Sequence, residues 1–372
     1  MAINSFRNRV ESLLALADVR VGGDRPWDIQ VHKPDFFRRV LAQGTLGAGE
    51  AYMDGWWDCP SLDQFICRFM KAGLENKFRA PAVVVDILQA KLSNRQSRSR
   101  AFKVGQHHYD IGNDLYRQML DSRMIYSCGY WPAATTLEQA QEHKLDLICR
   151  KLGLQPGMRV LDIGCGWGGA CQFIAERYAV DVVGCTVSAE QARLAKERCR
   201  DLPVQILLQD YRTIDGSFER IFSVGMFEHV GAKNYRTYMQ TVARLLNDDG
   251  LFLLHSIGGN RSAIVAEPWI ERYIFPNGML PSAKQITSAS EGIFIIEDWH
   301  NFGPDYDKTL MAWHANFVAA WPKLQHAYNQ RFYRMWCYYL LCCAGAFRAR
   351  ENQLWQIVFS KNGIPDGYRA PR

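Results

Sequence analysis

Residues 160–169 read VLDIGCGWGG. Asp162 stands two residues before Gly164, and Gly164-x-Gly166 runs on into Gly168-Gly169. Glycines at this spacing allow a tight turn and let backbone approach a ligand beside a helix N-terminus. Two later strand-like runs also end in polar groups. GCTVS offers Thr186 and Ser188, and LLQD offers Gln209 and Asp210, with the acid placed to face an adenine amino group. Further on, Glu228 in GMFEHV stands just past an apolar run, where sites of α/β folds form. His255 lies inside another apolar run, LLHSIG. Carboxylate and imidazole are the side chains that move protons. Each also has a plainer reading, Glu228 as a helix-start carboxylate and His255 as a satisfied core group.

The glycine loop by itself suits either a dinucleotide or S-adenosylmethionine. The next strand separates them. A nicotinamide or flavin enzyme places Asp or Glu about 20 residues on, to hold the ribose hydroxyls. Here Thr186 and Ser188 occupy that place, and Glu190 is already inside the following helix. This counts against a dinucleotide, and Asp162 with the glycine run is similar to the first motif of class I methyltransferases.

These groups need a scaffold, and the pattern supplies one. From about residue 155, strand and helix alternate: RVLDIGCG, GACQFIAERYA, VDVVGCTV, SAEQARLAKERC with Ser188 as cap, VQILLQD, RIFSVGM, NYRTYMQTVARLL, GLFLLHSIG. This predicts a doubly wound, mainly parallel α/β sheet. GIFIIEDWHNF and QLWQIVFSK are strand-like and close its edge, making seven strands. A largely helical stretch, about 305–350, lies between them. Residues 1 to about 100 read as helical. Phe36, Phe37, Val40 and Leu41 share one stripe. Leu62, Phe65, Ile66, Phe69 and Met70 share another, with Ser61 as N-cap. GTLGAGEAYMDGWWD reads as a tight turn between them, and SNRQSRSR as a linker. The division expected is 1–100, helical, and 101–372, α/β with a helical insertion at about 305–350.

Several longer stretches then agree with one another: YMDGWWDC, VGQHHYDIGNDLYRQMLDSRMIYSCGYW, SVGMFEHVGAKNY, LLHSIG, PWIERYIFPNGMLPS, EDWHNFGPDYDKTLMAW and CAGAFRARENQLWQIVFS. Together they closely resemble the bacterial cyclopropane-fatty-acyl-phospholipid synthases, over nearly the whole chain. The mycolic acid cyclopropane synthases and methyltransferases share the central motifs. The resemblance implies a class I S-adenosylmethionine-dependent methyltransferase fold with a helical N-terminal domain. It implies a membrane- or lipid-docking role for 1–100 and a catalytic role for 101–372, with the insertion covering the substrate. It implies transfer of a methylene group from S-adenosylmethionine to the cis double bond of an acyl chain in a membrane phospholipid. A bound bicarbonate ion is taken as base, with Cys128, Glu228, His255, Ile257 and Tyr306 as its protein ligands, Cys128 and Ile257 through backbone groups. Glu228 could itself serve as base. Cys343 is a further active-site residue by resemblance, although this chemistry needs no thiolate. For the cofactor the resemblance carries over Tyr126, Ser127, Asp162, Gly164, Gly166 and Gly168, with Thr186 and Gln191 at the ribose and Gln209 and Asp210 at the adenine. Gly129 stands where the family commonly has alanine. Members are often dimers.

The 372 residues carry 44 basic and 38 acidic side chains, a net charge of +6. Residues 77–103 hold Lys77, Arg79, Lys91, Arg95, Arg98, Arg100 and Lys103 against Asp86 alone. Such a run is a solvated linker or a patch for an anionic membrane or nucleic acid. With the resemblance, the membrane is the expected partner. Nucleic acid is not expected, because GMFEHV stands where a base-modifying methyltransferase would show D/N-P-P-Y/F. A mycolic-acid-type enzyme and a methyltransferase acting on a small amine are the remaining alternatives. The run 335–347 is too short to span a bilayer, and the N-terminus lacks a signal-peptide core. A cytoplasmic protein lying peripherally on the inner membrane is expected. Eleven cysteines without a C-x-x-C pair argue against a disulfide framework and a zinc site, and no metal is expected. His107-His108 reads as hydrogen bonding at a cofactor lid.

Overall fold

A computed structural model describes residues 2–78 and 112–372. Six basic residues of the 77–103 run, from Arg79 to Lys103, lie outside them, as does His107-His108. The chain forms two compact units. The first takes the described residues of Met1–Ser93 with Val265–Pro276 and Tyr306–Asn352. The second takes those of Asn94–Ile264 with Asn277–Asp305 and Gln353–Arg372.

The helical unit contains α1 (Ala2–Ala15), α2 (Asp35–Met53) and α3 (Leu62–Lys71), with a short antiparallel pair of β1 (Gln30–Val31) and β2 (Trp57–Asp58). The tight turn expected over GTLGAGEAYMDGWWD is instead helix as far as Met53, with a kink at Gly44 (φ 60°, ψ −140°). Gly49 explains why the helix continues here. A Cβ on it would fall 2.4 Å from Trp269 Cδ1, so glycine lets the tryptophan seat against α2. Ser61 stands at the N-cap of α3 as expected but makes no side-chain cap hydrogen bond. Leu62, Phe65 and Ile66 are buried; Phe69 and Met70 only partly.

The α/β unit contains α4 (Asn113–Met119), α5 (Leu137–Leu152), β3 (Arg159–Ile163), α6 (Gly169–Tyr178), β4 (Asp181–Thr186), α7 (Ala189–Arg198), β5 (Val204–Leu208), β6 (Phe218–Val224), α8 (Tyr235–Leu245) and β7 (Leu246–Gly259). After α9 (Pro268–Tyr273) of the helical unit come α10 (Ala283–Ser290) and β8 (Ile295–Asn301). Then follow α11 (Pro304–Leu324), α12 (Gln330–Arg348) and β9 (Asn352–Ser360). The seven-stranded sheet has the order β5-β4-β3-β6-β7-β9-β8. β5, β4, β3, β6 and β7 pair in parallel, and β8 pairs antiparallel with β9. Buried side chains of α5, α6 and α7 cover one face, and those of α8 and α10 the other. This is the doubly wound sheet expected from the alternation. The strand order reverses between β3 and β6, where ligands of such folds bind.

The segment 305–350, expected as an insertion of the catalytic domain, groups instead with the N-terminal helices. Its α12 packs on α2 and α3: Tyr338 lies 5.3 Å from Tyr52 between ring centroids, and Arg348 pairs with Asp63. Aromatic matching and an ion pair, both between positions far apart in the chain, decide that grouping.

Candidate functional site

Around the glycine loop, backbone geometry explains the residue types. Gly164, Gly166 and Gly168 have φ of 93°, 53° and 79°, the left-handed region that favours glycine. A Cβ on Gly164 would also lie 2.8 Å from Met226 Cβ. Trp167 is held from outside, its Nε1 donating to Asn113 Oδ1 at 2.9 Å, while Asn113 Nδ2 donates to Glu190 at 2.7 Å. Asp162 is buried at the end of β3, and burial pushes its carboxyl up to about 7. Cys171 Sγ donates to it at 3.4 Å.

At the end of β4, Thr186 Oγ1 donates to Gln191 Oε1 at 3.0 Å. Ser188 caps α7, its Oγ accepting from the Gln191 backbone N–H at 3.3 Å. Beyond β5, Gln209 Nε2 donates to the Thr213 carbonyl at 2.6 Å. Asp210 takes a bidentate pair from Arg212, at 2.8 and 2.6 Å. Asp162, the glycines, Thr186, Gln191, Gln209 and Asp210 thus line the carboxyl ends of three adjacent strands. The side chains of Gln209 and Asp210 are turned into their own tight turn.

The turn Tyr126–Cys128 is tied to α5. Gln141 Nε2 donates to the Ser127 carbonyl at 2.8 Å, and Lys144 Nζ to Ser127 Oγ at 2.8 Å. Tyr116 packs between Tyr126 and Trp167, with ring centroids at 5.2 and 4.8 Å. Cys128 is fully buried, its Sγ directed at the Gly129 carbonyl at 3.1 Å. A Cβ on Gly129 would stand 2.8 Å from Ala140 Cβ, which fits glycine at this position. Gln141 and Lys144 escaped the sequence reading. The available signal was the cap of α5, where Thr136 accepts from the Gln139 N–H at 3.3 Å.

At the ends of β6 and β7 the chemistry changes. Glu228 lies in a short 3-10 turn after β6 and is buried. Its Oε1 accepts from the Ile257 N–H at 2.7 Å, while Oε2 has no hydrogen-bond partner. Burial pushes its carboxyl up to about 7. The Ile257 N–H is therefore committed to Glu228, and the Ile257 carbonyl accepts from Ser256 Oγ at 3.0 Å. His255 is two residues from Ile257 on β7, so both side chains leave the same sheet face. Gln356 Nε2 lies 3.3 Å from His255 Nδ1. With the amide nitrogen facing the ring, Nδ1 accepts and the ring proton sits on Nε2; with the amide oxygen there, Nδ1 carries the proton. That Nε2 is buried and unpartnered. Burial, reinforced by Lys144 and Lys151, holds the imidazole well below its ordinary range, so it is neutral. Phe302 packs edge-on at 5.8 Å.

Tyr306 and Cys343 belong to the helical unit. Tyr306, on α11, is buried with its ring 4.6 Å from Phe347 and 5.9 Å from Trp313. Cys343, on α12, is a thiol that burial, then the Glu267 carboxylate, pushes up to about 12. It stays protonated at neutral pH and is no thiolate nucleophile. All eleven cysteines are free. Among the described residues, no group of three or more His, Cys, Asp or Glu side chains could hold a metal ion.

Similarity to known proteins follows the same lines. Residues 96–357 match the family of mycolic acid cyclopropane synthetase. The cyclopropane-fatty-acyl-phospholipid synthase of Escherichia coli (strain K12) is 56% identical over 363 residues, 97% of this chain and 94% of that one. Cyclopropane mycolic acid synthase 1 of Mycobacterium tuberculosis is 36% identical, covering 69% of this chain and 96% of its own. Among solved structures, a mycolic acid cyclopropane synthase complexed with S-adenosylhomocysteine and CTAB superimposes with a TM-score of 0.66. It is 34% identical and covers 70% of this chain and 98% of its own. A coclaurine N-methyltransferase, 21% identical with a TM-score of 0.66, shares the fold. The chain belongs to the cyclopropane synthase family, S-adenosylmethionine-dependent lipid-modifying enzymes on a class I methyltransferase fold.

Proposed function

We propose that this enzyme adds a methylene group from S-adenosylmethionine across the cis double bond of acyl chains in membrane phospholipids, with bicarbonate as the base. The observation that carries the reading is that Glu228 Oε2, after β6, and His255 Nε2, on the neighbouring β7, are each buried without a hydrogen-bond partner. S-adenosylmethionine supplies an electrophilic methyl group. The glycine turn and Thr186–Gln191 would hold its adenosine, and the Tyr126–Cys128 turn its other end. Forming a three-membered ring leaves one proton to be removed from the transferred carbon. A neutral His255 offers Nε2–H, and a Glu228 carboxyl held near 7 offers an O–H, so two donors suit a small oxyanion. Ile257 plays a lesser part in this reading, as a backbone prop for Glu228.

A second reading makes Glu228 itself the base, favoured by a carboxyl held near working pH. Bicarbonate depletion separates the two. Activity that falls on depletion and returns on adding bicarbonate supports the first reading; activity indifferent to bicarbonate supports the second. The reaction itself is tested by lipid mass spectrometry after incubating unsaturated phospholipid vesicles with labelled S-adenosylmethionine. A gain of CH2 with loss of the double bond supports cyclopropanation; a methyl branch or turnover of soluble amines overturns it.

For membrane access, the helical unit is the docking side in this reading. A groove of about 270 Å³ there is lined by Asp35, Arg38, Arg39, Ala42, Gln43 and Trp56; Arg38 pairs with Asp35, and Arg39 with Glu50 and Asp54. Arg39 and Lys33 stand 4.8 and 5.6 Å from the Trp56 ring. With both arginines paired, Lys33 beside the Trp56 ring is the cation this surface offers to anionic headgroups, a contribution of about 1 kcal/mol. Among the described residues no helix is long and apolar enough to cross a membrane. Sedimentation with anionic and neutral vesicles tests docking: equal, salt-independent binding to both overturns it.

A further inference from the structure

Two polar side chains meet on a sheet face that is otherwise aliphatic around them. His255 on β7 follows Leu251 and Leu253, and Gln356 on β9 stands between Leu354 and Val358; alternation puts each set on one face. Leu251, Leu253 and Val358 pack in one core with Leu145, Ile148 and Leu152 of α5. Gln356 is fully buried. It commits Nε2 to His255 Nδ1, at 3.3 Å, while its Oε1 is buried without a partner among the described residues. An unsatisfied buried polar atom costs about 1–3 kcal/mol, and methionine, of similar length, carries no such atom. Stability does not account for a glutamine here; its bond to His255 does.

What that bond does depends on which end of the amide meets the ring, and charge on the two sides of β9 decides it. β9 lies between β7 and β8 in the sheet, and Gln356 pairs in register with His300 of β8. Lys151 Nζ lies 3.2 Å from His300 Nδ1 and donates to it, because an ammonium only donates. Lys151 also pairs with Asp298 at 3.2 Å, but Arg372 holds both oxygens of that carboxylate, at 2.8 and 2.7 Å. Burial, then Lys151 and Arg372 against the opposing Asp298, holds the His300 imidazole down to about 4. His300 is therefore neutral in a positive surrounding. Side-chain amide dipoles orient in the field around them. The Gln356 oxygen is favoured on the β8 side, and the nitrogen on the β7 side, against His255.

We propose that Gln356 is the positioning residue of His255: it turns its amide nitrogen to Nδ1, fixes the tautomer with the proton on Nε2, and so sets the imidazole to donate from that buried atom. The tautomer of a ring follows from the bond its other nitrogen makes. Burial, then the charges of Lys144 and Lys151, keeps this ring neutral, so its tautomer is what remains to be fixed. The proposal rests on the reading of His255 as a donor in the site, given above.

Imidazole nitrogen NMR of the full chain, isotopically labelled at histidine, reads the tautomer directly, with His255→Gln identifying the signal by its loss. The unaltered protein should carry the His255 proton on Nε2; a proton on Nδ1 overturns the proposal without any variant. Gln356→Glu sets a carboxylate against Nδ1, so the proton should move there and cyclopropane formation should fall about tenfold or more. Gln356→Met removes the bond and the unsatisfied oxygen together. Its Tm should equal or exceed that of the parent, its tautomers should mix, and its kcat should fall about tenfold, with S-adenosylhomocysteine affinity within about twofold. A Gln356→Met protein that is less stable but fully active would make the glutamine merely structural and overturn the proposal. Full activity in His255→Gln would remove the reading of His255 itself, whichever nitrogen carries the proton.

Discussion

The carboxyl ends of β3 and β4 differ from those of β6 and β7 in how their polar atoms are satisfied. At β4, Thr186 and Gln191 answer each other, Ser188 caps α7, and Trp167 is braced by Asn113. At β6 and β7, Glu228 Oε2 and His255 Nε2 are buried with no partner. An unsatisfied buried polar atom costs about 1–3 kcal/mol, so the second region is destabilised relative to the first. On the proposed function, the contrast separates a preformed cradle from a site kept open for what must enter and react.

Breaking the open site should have the largest effect. Glu228→Gln keeps the shape but removes the titrating carboxyl, and cyclopropane formation should fall by about 10²-fold or more, measured as cyclopropane acyl esters by mass spectrometry. S-adenosylhomocysteine affinity, measured by calorimetry, should be unchanged; a joint loss would mean the two regions are not separable. Breaking the cradle comes next. Gly164→Ala puts a Cβ against Met226 at φ 93°, a strain of about 1–3 kcal/mol, and should weaken S-adenosylhomocysteine about ten- to a hundredfold.

The pH dependence sharpens the same comparison. Burial raises the Glu228 carboxyl to about 7, so the native state binds this proton more tightly than the unfolded chain does. Stability therefore falls as pH rises through about 4.5 to 7. Asp162, also raised to about 7, contributes in the same direction. Thermal unfolding followed across that window should show a shallower fall in Glu228→Gln than in the parent protein. The smallest effect belongs to a single cradle bond. Thr186→Val removes the 3.0 Å bond to Gln191 and should cost about 1 kcal/mol, roughly fivefold in cofactor affinity by calorimetry.

Much of this was legible beforehand, for identifiable reasons. The seven strands showed as apolar runs ending in glycine or polar residues, and buried parallel strands have that texture. Ser188 was readable as a cap because capping is local. The run from Gly44 to Met53 misled, because its glycines signal a turn when read locally but serve contact with Trp269, far along the chain. The grouping of α12 with α2 and α3 was hidden for the same reason. Lys144 was invisible as a buried group: in a helix sequence, a lysine reads as solvent-facing.

The sequence alone determined the order of elements, the glycine turn and the chemical types available at each strand end, since these follow from local sterics and periodicity. Tertiary structure decided which of those groups are satisfied. It spent the Ile257 N–H on Glu228 and left Lys144 buried behind Ser127. Hydrogen-bond satisfaction and burial depend on neighbours distant in the chain, and only packing brings those neighbours together.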